Sequence, residues 1–366
     1  MAKSAIFSLW LNIIVYLGIL GLHASHSQPC VPPLYIFGDS TADVGTNNYL
    51  PNSSARADSL YNGIDFPLRK PTGRFSNGYN TIDYLAQLLK FYESPPPFLS
   101  FSDSNISHFL IRTVPTTGIN FASGGSGLLD STGHKYKRVI SFGEQVQQFS
   151  SVRSNISELL GASAVANISK SLFIISVGSN DIFEHYDAND TSTGQNYITT
   201  LISTYETHLR NLYELGARRF GIISVGALGC CPILRSKYGG CCLEPMNRDA
   251  QLFYTALRDL LQKLSSECKG LMYALGDSYD MSKYILDHPD KSVFSEIKRA
   301  CCGKGKFNAE EACKPNSVLC KDRTTYLFWD QYHPTQEASS LAASILYTGT
   351  KPFVVPMGFG ELALLP

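Results

Sequence analysis

The 366-residue sequence carries no excess of either charge: 31 lysines and arginines face 31 aspartates and glutamates. It has no basic run. Nucleic-acid binding by counterion release needs a positive patch, so that class is set aside, and a polyanionic substrate is not favoured. No internal repeat and no low-complexity linker divides the chain. No Gly-Lys-Ser/Thr follows its glycine-rich stretch, which excludes a P-loop. The cysteines lack the spacing of about two to four residues that lets paired thiolates reach one zinc ion. Three pairs, Cys230-Cys231, Cys241-Cys242 and Cys301-Cys302, are directly adjacent instead.

What is present points to the secretory route. Lys3 is the only charge before an apolar run from Ala5 to Leu22, and Ser25 and Ser27 suit the −3 and −1 positions of a cleavage site. The expected division is a signal peptide over 1–27 and a single domain over 28–366. An uncleaved anchor is the alternative, although Ser8 and Asn12 interrupt the run. Cleavage leaves 30 basic and 31 acidic residues, a net of −1. All ten cysteines follow the cleavage point, and an even count in a secreted chain reads as disulfides. Five sequons, at Asn52, Asn105, Asn155, Asn167 and Asn189, mark possible glycan sites and hence candidate surface loops.

Short apolar runs alternate with amphipathic stretches. Strands are predicted at Leu34–Phe37, Gly118–Phe121, Leu172–Val177, Phe220–Val225 and Leu271–Ala274. They read as near-continuous apolar runs, as buried parallel strands do. Helical faces are predicted at Ile82–Tyr92, Ile198–Leu212, Leu252–Leu264 and Ala338–Leu346. The alternation implies βαβ units and a parallel sheet. Length alone suggests about two domains, but a doubly wound α/β fold absorbs this much chain as one.

Ligands of such sheets bind beyond the carboxyl ends of the strands, so the loops there matter most. Gly38-Asp39-Ser40 follows the first strand. Gly38 permits a tight exit. Ser40 is then a nucleophile at the start of a helix, or Asp39 or Ser40 merely caps it. The run Asn120–Gly127 offers backbone N–H groups to an oxyanion, or is a plain turn. Asn180, in Gly178-Ser179-Asn180-Asp181, offers its NH2 to an oxyanion or caps the next helix. Near the other end, Asp330 stands three residues before His333. A carboxylate at that spacing reaches Nδ1 and leaves Nε2 to take a proton from serine. His288, directly beside Asp287, is a poorer candidate base, and His185 a capping or rim residue. The cysteine-rich stretch 301–322 reads as a stapled loop that stiffens the segment carrying the base.

These blocks, with Thr72–Gly78 and Cys301-Cys302-Gly303, resemble the GDSL esterase/lipase family of the SGNH hydrolases, and in particular its secreted plant members. The resemblance spans nearly the whole mature chain. It implies a three-layer α/β/α sandwich with a central, mostly parallel, flavodoxin-like sheet. It implies Ser40 as nucleophile, His333 as base and Asp330 as its orienter. The Ser40 N–H, Gly124 and Asn180 would form the oxyanion hole. The family pattern favours pairing of Cys230-Cys231 with Cys241-Cys242, and of Cys313 and Cys320 with Cys301-Cys302. The chain departs from the family at Thr41, usually leucine, a change that bears on the pocket, and at Thr46, where an Asn-rich run is usual. The expected activity is hydrolysis of carboxylic esters, small or lipid, through an acyl-enzyme, with no metal or organic cofactor. No stable membrane span is expected after cleavage, and the location is extracellular, the apoplast for a plant protein. An acyltransferase passing the same acyl group to an alcohol is not distinguishable at this level. An inactive binding protein is opposed by the complete set of reacting groups.

Overall fold

All five apolar runs form strands in the computed structural model, which describes residues 31–101, 106–188 and 194–365. The proposed signal segment 1–27, Cys30, Asn105 and Asn189 lie outside the described residues. The strands are β1 (Leu34–Gly38), β2 (Gly118–Asn120), β3 (Leu172–Ser176), β4 (Arg219–Ile223) and β5 (Met272–Gly276). Their ends differ from the predicted ones by a residue or two. Shorter strands follow: β6 (Glu296–Ala300), β7 (Cys302–Gly303), β8 (Val318–Leu319), β9 (Tyr326–Phe328) and β10 (Val354–Val355). The main sheet has the order β2-β1-β3-β4-β5-β10, parallel except for β10 at its edge. The order 2-1-3-4-5 is the flavodoxin-like one, whose crevice opens between β1 and β3.

The helices are α1 (Thr81–Leu88), α2 (Ile106–Arg112), α3 (Phe142–Ile168), α4 (Ser179–Asp187), α5 (Gly194–Glu214), α6 (Pro232–Lys237), α7 (Glu244–Glu267), α8 (Ser278–Asp287), α9 (Gln336–Thr348) and α10 (Phe359–Leu364). Helices α3, α5 and α7 cover one face of the sheet, and α1, α9 and α10 the other, giving three layers. Alternate strand residues feed the two cores, because side chains switch faces at every residue. Phe37 stands at the centre of the first core, stacked on Phe121 and Phe173 at 5.1 and 6.1 Å and edge-on to Phe149.

Several details differ from the sequence reading. Helix α1 stops early: Lys90 adopts φ +70°, so Tyr92 falls outside the helix and is almost fully exposed. Helix α3 was not predicted. It starts at a capping box formed by Ser141 and Glu144 and buries Phe142, Val146, Phe149, Val152 and Ile156 at helical spacing. Asn155 and Asn167 therefore lie in a helix rather than in surface loops, Asn155 half-buried and Asn167 exposed. No helix follows Ser40. The backbone turns on the Asp39 carbonyl, which accepts from Ala42 and Asp43, so no helix dipole reaches the serine.

Three disulfides form, Cys230–Cys242, Cys301–Cys320 and Cys302–Cys313. The even-count expectation fails among the described residues, because Cys231, Cys241 and Cys268 remain thiols. Cys231 turns into the core, its sulfur 3.7 Å from the Tyr332 carbonyl, while Cys241 is exposed. Adjacent residues project apart, so one member of the Cys230-Cys231 and Cys241-Cys242 doublets misses the opposing segment, while both members of Cys301-Cys302 pair. No helix among the described residues is long and apolar enough to cross a membrane.

Candidate active site

Three strand ends and one stapled loop converge at the β1/β3 crevice. Gly38 ends β1 at φ +139°, with its Cα so close to β3 that a Cβ would lie 2.0 Å from the Ser176 carbonyl oxygen. Only glycine suits that combination. The next turn presents the Ser40 hydroxyl, half-buried, 2.8 Å from His333 Nε2. His333 Nδ1 lies 2.9 Å from both carboxylate oxygens of Asp330. Asp330 Oδ1 also accepts from the backbone N–H groups of Tyr332 and His333, which fixes the carboxylate before the ring meets it.

That base loop is braced from both sides. Cys301 and Cys302, each in a disulfide, donate their N–H groups to the carbonyls of Phe328 and Trp329, at the end of β9. Trp329 N–H donates back to the His333 carbonyl at 2.7 Å. Thr335 caps α9 by accepting from Ala338 N–H. Phe75 lies over the imidazole with ring centroids 5.0 Å apart.

Burial pushes the His333 pKa down. The Asp330 charge, its hydrogen bond and the farther Asp39 charge outweigh that, so the ring ends above its ordinary value. Burial likewise pushes Asp330 up, but His333 and the hydrogen bonds it accepts hold it below the usual carboxylate range. Asp39 is raised by burial, against donations from the Thr41 N–H and hydroxyl. Thr41, the departure from the family pattern, lines the cavity and shares a second hydrogen bond of 2.7 Å with Ser176. A leucine there would keep the N–H contact to Asp39 but lose both contacts of the hydroxyl.

The N–H of Ser40 has no partner among the described residues. Asn180, near the start of α4, does not cap its helix. It gives one amide hydrogen to the Ser126 carbonyl at 2.9 Å and keeps the other, and it lines the cavity. The glycine expectation is different. Gly124 N–H is spent on Asp43 Oδ2 at 2.9 Å. Gly125, at φ +82°, lines the cavity, and its N–H has no partner among the described residues. The sequence offers two adjacent glycines, and only backbone direction separates them.

Two buried aspartates, to which the sequence reading gave no role, hold this loop. Asp43 accepts from Gly45 and Thr46 on one oxygen and from Gly124 on the other. Asp181 accepts from Leu128, Leu129 and the Thr132 hydroxyl. Each carboxyl is pushed up to about 6, burial outweighing the donors. Gly125 is thus pinned between two anchors. Asp43→Asn turns an NH2 toward the Gly124 N–H, donor against donor. An unmet buried donor costs about 1–3 kcal/mol, so we expect a lower Tm and a fall in kcat of about 10-fold from a displaced loop. Melting and turnover measured together check this; unchanged kcat would remove the loop from the chemistry.

His288 and His185 do not join the site. His288 Nδ1 meets the Tyr284 carbonyl on α8, and His185 stacks on Tyr197 at 4.3 Å.

A three-layer α/β sandwich with reactive groups at its strand-order reversal is the class that fold and geometry define. The description of GDSL-like lipase/acylhydrolases matches residues 34–346, and the chain belongs to that family and is a carboxylic ester hydrolase. It is similar to two GDSL esterase/lipases of Arabidopsis thaliana. One is 36% identical, over 98% of this chain and 96% of the relative; the other is 35% identical, over 90% of each. Among solved structures it is similar to an acetylxylan esterase of Geobacillus stearothermophilus. That likeness has 11% identity and a TM-score of 0.39, over 86% of this chain and 92% of the other.

Proposed function

We propose that the chain is a secreted serine esterase in which Ser40 attacks the ester carbonyl, His333 takes its proton and Asp330 holds the ring. One observation carries this reading: the unbroken line from Ser40 Oγ to His333 Nε2 at 2.8 Å and from Nδ1 to Asp330 at 2.9 Å. A hydroxyl so placed is activated by the neighbouring base. The developing oxyanion is held by the N–H of Ser40, the N–H of Gly125 in place of Gly124, and the free amide hydrogen of Asn180. His333 then protonates the leaving alcohol, and a water repeats the steps on the acyl-enzyme. These steps use no metal or organic cofactor. The disulfides, the exposed sequon asparagines Asn52 and Asn167 and the apolar N-terminal run support secretion as a single domain after a cleaved signal. The mixed apolar and polar cavity supports small or lipid esters as substrates.

The pH dependence tests the base. His333 works when neutral, and Asp330 favours its charged form, so the acid limb of kcat/KM should have its midpoint above 6.5. Protonation of Asp43 near 6 acts in the same direction. The stability contribution of His333 has the opposite sign: a raised histidine stabilises below its unfolded pKa and loses that contribution as pH rises. A kcat/KM profile for p-nitrophenyl butyrate that stays flat down to pH 5 would remove His333 as the base.

A further inference from the structure

The cavity at Ser40 has a volume of about 520 Å³ and is larger than the chemistry needs. It continues away from the serine between α8 and α9. Helix α8 lines it with Ser278, Met281, Ser282, Ile285 and Leu286. Helix α9 lines it with Ala338, Leu341, Ala342, Ile345 and Leu346. Both sets follow the spacing i, i+3, i+4, i+7, i+8, one continuous face of each helix. Apolar faces at that spacing normally close on a neighbour. Here the two helices make no extended contact with each other, and Ile285, Leu286, Leu341 and Ile345 remain partly exposed.

Two of the three serine hydroxyls along these walls are already engaged. Ser224 Oγ accepts from Ser278 N–H, and Ser282 Oγ accepts from Ala227 N–H while donating to the Ser278 carbonyl. Past Ser278 the slot, lined by Met281, Ile285, Leu286, Leu341, Ile345 and Leu346, therefore suits an apolar occupant. At its far end Leu346 seals the floor against Gly276, where a Cβ would lie 2.2 Å from the leucine methyl.

We propose that this slot receives the acyl chain of the ester and sets its preferred length. The proposal rests on the serine esterase reading above, since the slot opens onto Ser40 and His333 in one cavity. From Ala338 to Leu346 the lining face runs about 12 Å at 1.5 Å per residue. A fully extended chain advances about 1.2 Å per bond, so the slot holds roughly ten carbons. The polar part of the cavity, with Asn62 and Lys135, is left for the alcohol. Each methylene that leaves water gains roughly 4-fold in binding, so kcat/KM should climb with chain length and level off near decanoate.

The test is a p-nitrophenyl series from acetate to palmitate, run on the full-length secreted protein, on Ser40→Ala, and on two variants that fill the slot from opposite walls, Ala342→Phe and Ile285→Trp. The expected result is a decanoate-to-acetate ratio of kcat/KM that falls about 10-fold or more in each filled variant. Acetate turnover reports that each variant is folded, and the paired variants guard against one failing. Three results would overturn the proposal: a ratio unchanged in both variants, a wild-type profile that does not rise beyond acetate, or wild type and Ser40→Ala hydrolysing alike. The last defeats the esterase reading itself; the first two leave that reading intact.

Discussion

Ser40→Ala should lower kcat for ester hydrolysis by roughly 10⁴-fold or more while leaving the fold unchanged. Among the described residues the hydroxyl's one partner is His333 Nε2, and the side chain is only half-buried. Its removal leaves little cavity and no unmet buried donor, so the change in stability should stay within about 0.5 kcal/mol. The rate should collapse because nothing else near Nε2 can form the acyl-enzyme. Cys231 lines the same cavity, but burial pushes its thiol up to about 12, so it holds no thiolate to take over. Turnover and melting temperature measured on one preparation decide the matter. Equal turnover in wild type and variant would end the assignment of Ser40.

Asn180→Ala should cost roughly 10²–10³ in kcat with little change in KM. The free amide hydrogen meets charge that exists only in the transition state, so its loss is felt in turnover and not in ground-state binding. The variant also gives up the hydrogen bond to the Ser126 carbonyl, a neutral contact worth about 1 kcal/mol. Tm should therefore drop slightly, by far less than the loss of rate would require. A variant that binds poorly but turns over normally at saturation would contradict an oxyanion role.

What could be read in advance follows from the kind of signal involved. Strands β1, β3, β4 and β5 were legible because strands covered on both faces must be apolar at nearly every position. The hydrogen-bonded line of Ser40, His333 and Asp330 was legible because its parts sit in short local patterns: a glycine exit for Ser40 and a three-residue step from Asp330 to His333. Helix α3 escaped because its few apolar residues are diluted by serine, glutamine and asparagine, and because Gly161 breaks it at φ +76°. The difference between Gly124 and Gly125 escaped because composition is identical at both. The Asp43 carboxylate accepts the Gly124 N–H and not that of Gly125. The cysteine doublets told which segments meet, but not which sulfur of each doublet points inward. Thr41 was visible as an oddity, while its two hydrogen bonds needed the Asp39 and Ser176 side chains in place.

Ser40 and His333, the proposed nucleophile and base, lie 293 residues apart in the chain. A ribosome that has delivered β1, β2, β3 and α4 has already made Ser40 and the proposed oxyanion donors, yet it has not made His333, the proposed base. On this reading the hydroxyl gains its reactivity only when the late segment 301–335 has been synthesised, oxidised and docked. An unfinished or unoxidised chain would therefore meet lipid esters as an inert protein.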